Sequence, residues 1–151
     1  MVDIPILGPL LVRALGAERA ALATEFLRFG IVGTIGFLVD TAVLYGALAL
    51  GGGLYLGRAV SYLSAATANW GLNRIWTFRG RGGGPVHRQW ALFVLVNLVG
   101  FALNYGAYAL LVTFVPMVAA HPILGVAAGS VAGMFTNFAL SRRLVFADQR
   151  G

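Results

Sequence analysis

Four long apolar tracts, residues 29–50, 59–78, 90–115 and 122–140, occupy most of this chain. Each is near or above the ~20 residues that cross ~30 Å of hydrocarbon at ~1.5 Å per residue. A soluble fold cannot hide four such tracts here. Only 11% of the 151 residues are charged and 59% are hydrophobic, whereas a soluble domain carries roughly a quarter charged residues. The pattern predicts an all-α integral membrane protein with four transmembrane helices.

The charges set the expected topology. All eleven basic residues are Arg. Arg13, Arg19 and Arg28 precede the first tract; Arg74, Arg79, Arg81 and Arg88 border the connection after the second; Arg142, Arg143 and Arg150 close the chain. Only Arg58 falls at the other side, a ten-to-one bias. Positive charge marks cytoplasmic segments, so both termini and the central loop are expected in the cytoplasm. Short outer loops are expected at residues 51–57 and 116–121. The pI near 10.8 then reflects membrane-flanking charge, and no nucleic-acid partner is expected. Residues 1–25 are not expected to act as a signal peptide, because Asp3 replaces a basic start and Pro5 and Pro9 interrupt the apolar stretch. Ile6, Leu7, Leu10, Leu11, Ala14 and Leu15 share a face, which fits a short interfacial helix; a frayed tail is the alternative. Arg79-Gly80-Arg81-Gly82-Gly83-Gly84-Pro85 reads as a linker. It is no phosphate-cradling loop, lacking a preceding strand and a Lys. Cys is absent, and His87 and His121 fall on opposite sides of the membrane. Hence no metal site or cofactor is expected, and no thiol chemistry.

The tracts pair into two copies of one pattern. Gly36-Phe37 with Asp40 returns as Gly100-Phe101 with Asn104, 64 residues later. Asn69, Asn73-Arg74 and Phe78 return as Asn137, Ser141-Arg142 and Phe146, 68 residues later. Each half crosses twice, so the copies enter from the same side as tandem parallel-repeat hairpins. The expected division is a segment 1–25 and a four-helix domain 26–147, with repeat 1 at about 26–79 and repeat 2 at about 89–147.

Polar groups inside a bilayer cost free energy and need a reason. Gly33, Gly36 and Asp40 form one stripe; Asn97, Gly100, Asn104 and Tyr108 form its equivalent. Arg58, Tyr62, Ala65, Asn69 and Asn73 share a face of the second tract; Ser130, Gly133, Asn137 and Ser141 share one on the fourth, beside Gly125 and Gly129. Small residues at such spacing let backbones approach, so the polar stripes are expected to face the bundle, in a shared site between the copies. Each group has a plainer reading. Asn69, Asn73 and Asn137 serve as interhelical hydrogen-bond partners, Arg74 and Arg142 as end anchors, and Asp40 as the counter-ion of Arg58. Asp40 is the only acid within a tract, and its burial costs ~2.5 kcal/mol or more on insertion scales. Packing explains it least well. Tyr55, Trp76 and Trp90 read as an interfacial belt.

Phe26-Leu27-Arg28-Phe29-Gly30-Ile31-Val32-Gly33 leading to Asp40, then Asn69-Trp70-Gly71-Leu72-Asn73-Arg74-Ile75-Trp76-Thr77-Phe78, resembles the GtrA family. The second copy resembles its C-terminal half through Asn104, Asn137, Arg142 and Phe146, so the likeness spans roughly residues 25–147. The resemblance implies a small four-helix protein of cell-surface polysaccharide synthesis, multi-pass in the cytoplasmic membrane. It implies movement of polyprenyl-phosphate-linked sugars across that membrane, and a relation to the membrane region of dolichol-phosphate mannose synthases. No attached glycosyltransferase domain and no enzyme activity are expected, since these residues hold no nucleophile–base pair or nucleotide loop.

Such a lipid has an anionic phosphate, a polar sugar and a long tail. Arg74 and Arg142 suit the phosphate, because guanidinium pairs with phosphate oxygens bidentately. Asn69, Asn73, Asn104 and Asn137 suit sugar hydroxyls, with Tyr62 and Ser141 on the same polar faces. Asp40 suits sugar binding or a proton, and Arg58 suits the phosphate at the outer side. Membrane lipids are the surroundings; a membrane glycosyltransferase and a second copy of the chain are the further candidate partners, the latter through the Gly125/Gly129 stripe. Two other classes stay open: a small proton-coupled cation exporter using Asp40, and a non-transporting adaptor for a glycosyltransferase. The Arg bias argues against a dual-topology exporter.

Overall fold

The computed structural model describes residues 7–52 and 54–147, with the backbone alone for residues 7–10, 54, 55, 58, 122, 123 and 126. Among the described residues the chain is helical, with no strand. The elements are α1 (Leu7–Leu15), α2 (Ala17–Ala49), α3 (Leu54–Leu72), α4 (Val86–Phe114), α5 (Pro116–Ala120) and α6 (Pro122–Leu140). Both α3 and α6 run on into a five-residue π-helical turn, Asn73–Thr77 and Ser141–Val145 respectively. Two compact units divide the chain between Gly80 and Arg81.

The breaks follow local chemistry. Gly16, at φ 78°, separates α1 from α2. Gly51 ends α2 at φ 82°. The Gly51 N–H donates to Leu48 O (3.0 Å) and the Gly52 N–H to Ala47 O (2.8 Å), the pair of bonds that closes a helix over a left-handed residue. Val115 is extended ahead of Pro116, and His121 lies outside the helical region ahead of Pro122, because the residue before proline is pushed from helical geometry. Each proline then opens a helix, where its missing N–H costs nothing.

The fourth tract and α6 coincide. The first differs: α2 starts at Ala17, twelve residues before the apolar tract, and runs unbroken across residues 25 and 26. Helical propensity in Ala17–Glu25 carries the rod beyond its apolar part. The connection at residues 116–121 also differs from the expected loop, holding the short helix α5.

α2 and α4 are long and apolar enough to cross a membrane, at 33 and 29 residues, and only 11% of each most apolar window is buried. A helix in a soluble core is mostly buried. Here Phe37, Leu38, Phe101, Tyr105 and Leu110 all stand exposed, a lateral apolar surface suited to acyl chains. At ~1.5 Å per residue the nineteen-residue α3 and α6 are ~28 Å long. Hydroxyls on the exposed flanks are satisfied locally: Thr41 Oγ1 donates to Phe37 O (2.9 Å), Thr67 Oγ1 to Leu63 O (2.7 Å) and Thr113 Oγ1 to Ala109 O (2.7 Å).

In the first unit α2 packs along α3, and α1 against α2. The register follows from close approaches: Gly36 faces the Asn69 side chain, and Gly57 faces Leu44, Ala47 and Leu48. In the second unit α4 packs along α6. Gly125 lies against Tyr108, Gly129 against Asn104 O, Gly133 against Asn104 Cβ and Gly100 O, and Gly100 against the Asn137 side chain. The Gly125/Gly129 stripe faces α4. Glycine there lets two backbones close together where lipid supplies no hydrophobic drive.

Candidate functional site

Each unit carries the same feature at the end of its second helix. The Phe78 N–H donates to Asn73 O and the Phe146 N–H to Ser141 O, both at 2.8 Å and both reaching back five residues. Phe78 has φ −114°, ψ 36°, and Phe146 φ −115°, ψ 35°. A π turn holds one residue more than an α turn and recurs at functional positions. Here it swings the following phenylalanine inward. Phe78 is buried against Phe29 (ring centroids 6.3 Å) and Phe146 against Phe93 (6.2 Å).

The turn also leaves carbonyls without intrahelical donors, and a side chain from the first helix of each unit supplies one. Arg28 Nη1 donates to Trp76 O at 3.4 Å; Gln89 Nε2 donates to Val145 O at 3.2 Å. Gln89 is buried, and Arg28 is 9% exposed with its guanidinium 5.6 Å from the Trp76 ring. Counting Arg28 as a loop charge, as its place before the apolar tract invites, misses this. Its guanidinium contacts Trp76 across 48 residues, a pairing no local period displays.

The structure places the expected residues as follows. Asp40 and Tyr62 are half-buried in the first unit. The Gly36–Asn69 approach sets Asp40 level with Ala65, within about a turn of both Tyr62 and Asn69 along α3. Asn69 lies in the α2–α3 seam, Asn73 is buried in the π turn, and Arg74 is half-buried with its guanidinium 5.7 Å from the Trp70 ring. The Arg58 side chain lies outside the described residues. In the second unit Asn104 sits between Gly129 and Gly133, Asn137 lies in the α4–α6 seam, Ser141 is buried in the π turn and Arg142 is half-buried. Two stripe members are not part of this face. Gly33 is exposed, with open space around it, because at ~100° per residue it is turned ~60° from Gly36. Asn97 spends its amide on Phe93 O of its own helix (2.8 Å).

The buried oxygens of these residues define what the polar face of each unit can do. Asn69 Oδ1, Asn73 Oδ1, Thr77 Oγ1, Asn137 Oδ1 and Ser141 Oγ are shielded from solvent, and no hydrogen-bond donor among the described residues reaches them. Buried polar atoms are ordinarily satisfied, at a cost of ~1–3 kcal/mol when they are not. These oxygens suit a ligand that brings hydroxyl donors.

The second unit holds a further feature. Gly82 and Gly84 turn at φ 79° and 95°, which folds the loop into a wall of a cavity of about 340 Å3 with Arg88, Gln89, Leu92 and Leu144. A side chain at Gly82 would overlap Gln89 Nε2. The stretch that reads as a linker has a defined course.

The described residues are helical, and the two longest helices are apolar, largely unburied and long enough to span a bilayer. Over residues 28–150 the chain matches the model of the GtrA/DPMS transmembrane domain, and it belongs to that family. Membership gives it a membrane role in glycan synthesis. No curated protein matches the chain.

Proposed function

We propose that this protein translocates a polyprenyl-phosphate-linked sugar across the cytoplasmic membrane. In this reading it is a four-span protein of two tandem parallel hairpins with both termini cytoplasmic. It is not an enzyme and needs no cofactor. The observation that carries the reading is the set of buried acceptor oxygens on Asn69, Asn73, Asn137 and Ser141, in helices whose outer faces are apolar. Sugar hydroxyls are the donors such oxygens lack. Arg74 and Arg142 attract the phosphate at the inner boundary, Arg58 receives it at the outer one, and Asp40 binds the sugar or carries a proton. Tyr62 and Asn104 extend the polar faces, and the prenyl tail stays among membrane lipids.

Transport of a labelled lipid-linked sugar by the purified protein in vesicles tests this. Arg74→Ala and Asp40→Asn are each expected to lower the rate at least tenfold, since a charge-assisted hydrogen bond contributes roughly 1.5–3 kcal/mol. Wild-type rates in both variants would remove these roles. A second reading, an adaptor that recruits a membrane glycosyltransferase, draws support from the family description, which joins GtrA to the membrane part of DPMS. Vesicles containing this protein alone separate the two, because an adaptor moves no lipid.

A further inference from the structure

The cavity in the second unit has two kinds of wall. Residues 82–85 and Arg88 form a polar one; Leu92, Leu144 and Ala147 form an apolar one. Buried Gln89 joins them, for its amide donates to Val145 O at 3.2 Å and Gly82 lies against that same amide. The loop is thus packed onto its unit, and the cavity has a fixed frame. At about 340 Å3 it falls within the roughly 300–1,000 Å3 of small-molecule sites. Its surroundings are basic. Residues 81–147 contain Arg81, Arg88, Arg142 and Arg143 and neither Asp nor Glu; Asp148 lies outside the described residues. Of these four Arg, Arg88 lines the cavity, exposed in the first turn of α4. A cleft bordered by one sign of charge concentrates the opposite ion.

The position selects a lipid over a free anion. At ~1.5 Å per residue α4 is about 43 Å long, against ~30 Å of hydrocarbon. When it spans, its first turn reaches the headgroups. Leu92 continues along one face of α4 to Leu95 and Val99, which are exposed, and Leu144 is exposed as well. An amphiphile with an anionic head can therefore set its charge at Arg88 and lay its tail on this apolar face. Guanidinium also matches phosphate oxygens in bidentate geometry. We propose that this cavity docks the phosphate of a prenyl-phosphate lipid, with Arg88 as donor and Leu92 and Leu144 under the first carbons of the tail. The assignment rests on the translocation reading and deepens it, adding a phosphate site apart from Arg74 and Arg142.

The test compares binding of a labelled short-chain prenyl phosphate and of the matching prenyl alcohol to the purified full chain. Arg88→Gln and Arg143→Gln remove the same charge from the same unit, but only Arg88 lines the cavity. Arg88→Gln is expected to weaken prenyl phosphate binding about tenfold or more and to leave the alcohol unchanged. Arg143→Gln is expected to bind both ligands as the wild type does. Leu92→Trp fills the apolar side and is expected to weaken both ligands severalfold, with helix content by circular dichroism unchanged. Equal phosphate losses in Arg88→Gln and Arg143→Gln, or no loss in Arg88→Gln, overturn the assignment of Arg88. Wild-type binding of both ligands by Leu92→Trp overturns the cavity as the site. In either case the translocation reading stands wherever the wild type moves lipid-linked sugar in vesicles. A wild-type protein that binds no prenyl phosphate overturns both. Inorganic phosphate or phosphatidylglycerol that competes as effectively as the prenyl phosphate would mark a free-anion or bulk-lipid site and overturn the prenyl assignment.

Discussion

Asn69 joins the packing of the first unit to the proposed transport. It fills the seam opposite Gly36, where any Cβ would overlap its amide, and its Oδ1 has no donor from the described residues. Gly36→Ala therefore displaces the amide without altering it. Vesicle transport is expected to fall severalfold in Gly36→Ala and to stay at the wild-type rate in Gly33→Ala, whose added methyl meets open space. Equal rates in the two variants would mean that the position of the Asn69 amide is irrelevant. At this scale the sequence was informative about which polar residues lie between helices, because an amide in an apolar tract stands out against its neighbours. It was uninformative about Arg28. A basic residue at a tract boundary has an ordinary explanation, and only the fold shows its burial against Trp76.

The elements themselves were legible where apolar length defines them, and obscure where hydrogen-bond pattern does. Residues 122–140 read directly as α6. The π turns did not, since an extra residue per turn leaves no mark on composition. Asn73-Arg74 and Ser141-Arg142 marked the places without revealing the geometry. Phe78→Leu keeps an apolar side chain after the first π turn and removes the ring that faces Phe29. An aromatic pair contributes about 0.5–1.5 kcal/mol beyond its buried area, so the unfolding midpoint in detergent should fall by several degrees. An unchanged midpoint would show that the pairing carries no stability. In the second unit the glycine seam gives a sharper contrast. Gly129→Ala meets Asn104 O at 2.5 Å, whereas Gly106→Ala meets nothing. The first should cost ~1–3 kcal/mol as overpacking, and the second should be neutral or mildly stabilising because alanine favours helix. Chemical denaturation of both variants checks the order.

For the whole molecule, the proposed topology is directly measurable because the chain has no Cys. Leu50→Cys lies beside the first outer loop at 91% exposure, and Gly83→Cys lies in the exposed central loop at an ordinary φ. An impermeant thiol reagent added to intact cells should label the first and spare the second; the reverse pattern would invert the Arg-based orientation. The composition of the central loop suggested only a spacer. Its backbone says otherwise, since Gly80, Gly82 and Gly84 all adopt left-handed φ values. For any other residue that geometry costs roughly 1–2 kcal/mol. Nearly every single-base change in those three codons that alters the amino acid therefore carries a conformational penalty. A stretch that resembles filler should prove one of the least mutable parts of the gene, its alleles held to silent third-position drift.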